Sequence, residues 1–231
     1  MVILAIETSQ REGGVALRTA DGAVHVEPLP LGRGSDGLQP AIDRVVREAG
    51  LAPRDLAAVG VSVGPGGFTG LRIAVTTAKM LAMAVGSKLV AVPSALVAAE
   101  GIDDRVGEGG GAMRVALASK RETFWATRLE RADGHWRAAG DAGLTDAAGA
   151  TLDGVTTVVA DAYLPESMRA RCAETGVPIT EPRFDPRACL DVAARRLEQD
   201  RTVEAHLLAP IYPRPPEAVT LWNARTRSEP R

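Results

Sequence analysis

Histidine and cysteine are scarce in this 231-residue chain, with three of the first and two of the second. His25, His135 and His206 stand far apart, and Cys172 and Cys189 fit neither a disulfide framework nor a zinc-ligand spacing. No H-x-x-x-H or H-E-x-x-H pair and no Cys/His cluster occurs, so no metal site is expected. Two isolated cysteines suit a reducing cytosol. A basic excess is missing too: 27 Lys and Arg stand against 29 Asp and Glu, for a formal charge of −2. Gripping nucleic acid unaided requires such an excess to neutralise phosphates, so nucleic-acid binding by this chain alone is not indicated. The G-x-S-x-G nucleophile pattern is absent, and Ser9, Ser62 and Ser94 lie near strand ends with no evident base. No apolar run approaches a membrane span, and residues 1–6 enter strand-like sequence with no basic leader. A cytoplasmic protein is therefore expected, neither secreted nor inserted in a membrane.

What is present is globular. Apolar residues make up 45% and charged residues 24% of the chain, enough for a real core in one domain or two small ones. VILAIE (2–7) reads as a buried strand. GGVALR and AVHVEP follow as two more, joined through an Asp21-Gly22 turn. From Ser35 to Ala49 the residues Leu38, Ile42, Val45, Val46 and Ala49 recur at helical spacing. Ser35 or Asp36 can cap that helix, Pro40 fits its first turn, and Gly50 can end it. AVGVSV (58–63) is the next strand, then a glycine-rich turn, a helix to about Val85, and KLVAVPS as a further strand.

The pattern then restarts. MRVALASKRETFWATRLERADGHWRA (113–138) again reads strand, turn, strand, Asp-Gly turn, strand. Val115–Ser119 repeats Ile3–Glu7, and Asp133-Gly134 repeats Asp21-Gly22 at the same offset. A glycine-rich hinge, GEGGGA (107–112), separates the copies, which suggests two related α/β lobes. VTTVVAD supplies a later strand and residues 186–199 a helix; the proline-rich tail APIYPRPPEAVTLWNARTRSEPR starts extended and ends mobile. The divisions expected are 1–106, a lobe bearing partner helices; 107–205, a smaller lobe; and 206–231, an extended tail that packs back on the first lobe.

The turn VGPGGFTGLR (63–72) carries Gly64, Pro65, Gly66, Gly67, Thr69 and Gly70 between a strand and a helix. Such a place can bind anions through free N–H groups at the helix start. The match to known phosphate loops is poor. A Walker motif ends Gly-Lys-Ser/Thr where this chain has Thr69-Gly70-Leu71-Arg72, and the dinucleotide fingerprint finds its third glycine one place late, at Gly70. A tight turn with Thr69 as helix cap is favoured over phosphate chemistry. The following helix, LRIAVTTAKMLAMAV, has Arg72, Thr76 and Lys79 as one narrow polar stripe, with Ala74, Ala78 and Ala82 stacked on another side. Surface helices are apolar over a sector of roughly 100°; this one is apolar over most of its circumference and should be covered on two sides. One cover is its own sheet. The other is either a neighbouring element of the same lobe or a partner helix on the alanine side, and the pattern favours neither.

Glu7, ending the first strand, is the best acidic candidate, able to orient a metal-bound water or to cap a turn through Thr8 and Ser9. Its counterpart in the repeat is Ala118 or Ser119, and VVADAY (158–163) lacks a glycine pair, so the second lobe lacks a matching half-site. ILAIETS, GPGGFTGLR, VPSALVAA and APIYPRPPEA occur in the order found in the TsaB family, which this chain resembles over nearly its whole length. TsaB is the non-catalytic subunit of the bacterial machinery that makes threonylcarbamoyladenosine in tRNA.

The resemblance implies two ribonuclease-H-like lobes of the actin, Hsp70 and sugar kinase type. It implies an accessory subunit without cofactor or catalytic residues that binds and activates a TsaD-like transferase, cooperates with a TsaE-like ATPase, reaches tRNA only through the complex, and forms a homodimer when alone. The partner surface it implies lies on the two first-lobe helices, at Leu38, Ile42, Val45, Leu71, Arg72, Ala74, Val75, Ala78, Lys79 and Ala82. Three positions depart from the family: Gly34 where relatives often have His, Ala118 where Asp is common, and Ala160 within a loop that otherwise carries glycine. An enzyme in its own right, either a metal-dependent transferase or hydrolase or a small-molecule kinase, and a homodimeric binding module unrelated to tRNA are the alternatives.

Overall fold

The computed structural model describes residues 1–29, 37–102, 111–140 and 142–214. Its first sheet is built from β1 (Ile3–Glu7), β2 (Gly14–Arg18), β3 (Val24–Pro28), β4 (Ala58–Gly64) and β5 (Lys88–Pro93). Helices α1 (Leu38–Glu48), α2 (Phe68–Val85) and α3 (Ser94–Glu100) interleave with them. The second sheet holds β6 (Ala112–Ala118), β7 (Phe124–Ala132), β8 (His135–Ala138), β9 (Gly143–Thr145), β10 (Val155–Val159) and β11 (Ile179–Thr180), with α4 (Glu166–Thr175) and α5 (Pro186–Glu198). Positive φ at Gly22 and Gly134 turns the chain after Asp21 and Asp133, as the repeated Asp-Gly pairs suggest.

The two sheets have the same wiring. The first runs β3-β2-β1-β4-β5, antiparallel across β1, β2 and β3 and parallel across β1, β4 and β5. The second runs β8-β7-β6-β10-β11 with the same directions, and β9 added beside β7. The repeat read from Asp-Gly spacing is therefore a duplication of topology, and both halves are ribonuclease-H-like. α4 follows β10 as α2 follows β4.

Alternation along the strands sends side chains into separate cores. Leu4, Ile6, Val59 and Val61 pack with α1 and α2 on one face of the first sheet. Ile3, Ala5, Val90 and Val92 face the other way, onto α3 and α5, which also meet Met113, Val115 and Leu117 of the second sheet. Ala116, Phe124 and Val158 face away again, onto Met168 and Cys172 of α4. The layers thus run helix, sheet, helix, sheet, helix. α5 begins where sequence places it, capped by Asp185, whose Oδ1 accepts from the Arg187 N–H at 2.8 Å. Assigned by sequence to the second lobe, it lies instead between the sheets and packs on β1, β2, β4 and β5, because Ala188, Val192 and Ala193 offer a flat apolar face.

The segment after α5 returns to the first sheet. Val203 N–H donates to the Leu89 carbonyl at 2.9 Å and Ile211 N–H to the Val63 carbonyl at 2.7 Å, while Leu208 is buried beneath them. Ser35, Asp36, Gly34, most of the 107–112 hinge and residues 215–231 lie outside the described residues. The first described cap of α1 is Gly37, which makes no side-chain cap bond.

Candidate functional site

The glycine-rich turn is shaped by the segment after β1. Gly67 N–H donates to the Ser9 carbonyl at 2.7 Å, and Thr8 Oγ1 donates to the Gly70 carbonyl at 3.1 Å. A Cβ on Gly66 would stand 1.9 Å from the Ser9 carbonyl oxygen, and one on Gly70 would stand 2.6 Å from that of Thr8. The glycines are there so that two backbones can touch. Gly67, in extended conformation, starts α2; Thr69, expected as the cap, lies inside the helix, because the Ser9 carbonyl already takes the N–H that sets the helix start.

Behind the turn sits a buried polar cluster. Glu7 is fully buried, with Oε1 accepting the Ser9 N–H at 2.7 Å and Oε2 unpartnered. Burial raises its carboxyl from 4.5 to about 7, against the opposing effect of Ser9 and Ser62 hydrogen bonds. Ser62 and Ser94 hydroxyls meet at 2.9 Å, and Cys189 of α5, its thiol pushed well up by burial and by Glu7, closes the cluster. Sequence gave these serines no evident base; the fold places the Glu7 carboxyl beside Ser9 and Ser62. It also seals Glu7, Ser9, Ser62 and Ser94 from solvent. Among the described residues no group of three or more His, Cys, Asp or Glu is arranged to hold a metal.

α2 presents the other feature. Ala74, Ala78, Ala82, Leu71 and Val75, expected at a partner surface, are buried in the chain's own core. So are Leu38, Ile42 and Val45 of α1. They recur at the spacing that faces a sheet, and small side chains let α2 lie close on β4. Of the expected set Arg72 is exposed and Lys79 half-buried. The free face is a different one. Phe68, Met80 and Met83 are 52%, 64% and 70% exposed, aligned with Arg72 and Thr76 at helical spacing. Phe68 is steadied by Tyr212 at 5.2 Å between ring centroids and by Arg72, whose Cζ stands 5.1 Å from its ring. An open groove of about 420 Å³ runs past Phe68, Thr69, Arg72, Ile73, Thr76 and Thr77.

Sequence reading missed Phe68, Met80 and Met83, although Met80 and Met83 continue the Arg72–Thr76 stripe. Only 28% of α2 is buried, and by length and composition it is apolar enough to cross a membrane. That corrects the expectation that no such run exists: Arg72 and Lys79 are too few to offset the methionines and alanines around them.

In the second lobe the position matching the glycine turn is closed differently. Asp161 Oδ1 accepts the Tyr163 N–H at 2.9 Å, and Arg169 Nη2 donates to the Asp161 carbonyl at 2.8 Å. Ala118 and Ala160 bring no polar group there.

Residues 34–194 match the family model described as TsaD, tRNA N6-adenosine threonylcarbamoyltransferase. The chain belongs to that family. It is 38% identical over 95 residues to the tRNA threonylcarbamoyladenosine biosynthesis protein TsaB of Bacillus subtilis (strain 168), covering 41% of this chain and 42% of that one. It is 30% identical over 141 residues to the protein of the same name from Escherichia coli (strain K12), covering 59% and 58%. The chain thus spans about half the length of the curated relatives it matches. YeaZ from Pseudomonas aeruginosa has the same fold, with a TM-score of 0.75 at 20% identity over 91% of this chain and 99% of that one. So does a structure described as an uncharacterized protein with similarity to peptidase YeaZ from Pseudomonas aeruginosa, at 0.72 and 22% over 92% and 99%. The resemblance to TsaB read from the motifs is supported by both curated relatives, which carry that name.

Proposed function

We propose that this chain is an accessory subunit in the biosynthesis of threonylcarbamoyladenosine in tRNA, docking on a TsaD-type transferase through the outer face of α2. The observation that carries this reading is the exposure of Phe68, Met80 and Met83 on one helix face whose opposite side is already packed on its own sheet. Apolar faces of this kind mark interaction sites, and methionines adapt to a partner's contours. A TsaE-like ATPase acts on the assembled pair, tRNA is reached through the complex, and in isolation the same face pairs two copies of the chain in the cytoplasm. The chain itself carries no catalysis.

The alternative, an enzyme in its own right, has Glu7 with Ser9 and Ser62 as its one candidate centre. Its complete burial leaves no path for a substrate, which weighs against that reading. Threonylcarbamoyl transfer to tRNA, reconstituted from the transferase and ATPase with and without this chain, tests the proposal. The expected result is formation of modified tRNA that depends on the added chain. Equal rates in both reactions contradict it.

A further inference from the structure

Arg114 lies in the middle of β6, 7% exposed, directly opposite Arg128 on β7 and beside Val158 on β10. Its neighbours two places along the strand, Ala112 and Ala116, pack with Met168 and Cys172 of α4, so Arg114 faces that helix as well. There α4 carries Arg171. Among the described residues Arg114 has no hydrogen bond or ion pair, and its Nε is buried without a partner. Burial first, then the positive charges of Arg128 and Arg171, hold its guanidinium below the ordinary value.

Like charges opposite one another across a strand pair are unfavourable, and a buried guanidinium without an acceptor is costly. Little in the chain offsets this. Arg128 donates from Nη1 to the Asp153 carbonyl at 2.8 Å and from Nε to Glu130 Oε1 at 3.2 Å. Arg171 donates to the carbonyls of Ala147 and Ala148. Both therefore fasten the 147–153 segment, mostly through neutral carbonyls, and the Arg114 Nε is left without a partner among the described residues.

We propose that Arg114, Arg128 and Arg171 form a binding site for a compact phosphate group between β6, β7 and the end of α4. Planar guanidinium forks match phosphate oxygens two at a time, and a tetrahedral oxyanion offers acceptors to several forks at once. Three guanidinium groups converging from adjacent elements suit a single small group, either free phosphate or the phosphate of a nucleoside monophosphate.

Thermal unfolding of the full chain tests the site in potassium phosphate, in AMP with chloride, and in chloride alone, all at equal ionic strength and pH 7.5. A ligand bound only to the folded state raises the midpoint in a saturable way. The wild-type midpoint is expected to rise with phosphate or with AMP beyond chloride, the tighter of the two naming the source. Arg114→Met, which keeps the length and removes the unpaired charge, is expected to melt no lower than wild type in chloride and to lose the response. Arg171→Gln, on the outer helix, is expected to weaken the response about tenfold. No response beyond chloride overturns the site, as does an Arg114→Met protein that melts lower in chloride. Should that variant fail to fold, an unchanged response in Arg171→Gln is the overturning result.

Discussion

Burial of Glu7, opposed only by serine hydrogen bonds among the described residues, sets a pH dependence for the whole fold. The unfolded chain gives up this proton near 4.5, the folded chain near 7. Between those values the folded state binds more protons, so stability is full below the lower value and falls as pH rises. The loss is complete above about 7 and amounts to about 3 kcal/mol. Glu7→Gln keeps an acceptor for the Ser9 N–H and cannot ionise. Urea unfolding at pH 5 and pH 8 is expected to show a wild-type loss that the variant lacks; equal losses would contradict the assignment. Gly66 sets a second limit at this scale. Gly66→Ala forces a Cβ onto the Ser9 carbonyl, where backbone meets backbone and neither can yield. A cost of about 2 kcal/mol or more is expected in thermal unfolding. These contacts explain why the turn could be read as shape rather than chemistry, while its partner could not: nothing in the spacing of Thr8 and Ser9 reports that they touch residues 66–70.

Among the elements, α2 decides between two kinds of substitution. Ala78→Arg puts a charge into a site with no exposure and is expected to abolish folding, costing about 3 kcal/mol or more. Met83→Glu, on the free face, is expected to leave the unfolding midpoint within about 2 °C of wild type. Circular dichroism melts of both proteins check this. The all-round apolar character of the helix was legible from its sequence; the choice of face was not. Alanines suit close packing on a sheet as well as on a partner helix, and the fold uses them for the sheet. Other elements escaped the sequence for their own reasons. α3 is buried between two sheets and carries no polar side to give a helical period. α4 sends only Met168 and Cys172 fully into the core. β9 and β11, at three and two residues, exist through pairing with neighbours rather than through their own pattern.

At the scale of the molecule, the duplication was visible because strand and Asp-Gly spacing survive in both copies. The layer order was not, since it depends on α5 crossing between the sheets and on residues 203–212 returning to β4 and β5. That return brings Tyr212 against Phe68, so the tail helps shape the face proposed for the partner. Arg214 reaches on to the Lys120 carbonyl at 2.8 Å, tying the same tail to the second lobe. The most direct measurement is calorimetric titration of a TsaD-type transferase with the wild-type chain and with the Met80→Glu/Met83→Glu double variant. Binding by the wild type and an affinity at least about 100-fold weaker in the folded double variant are predicted; equal affinity of the two proteins would contradict the proposed docking face.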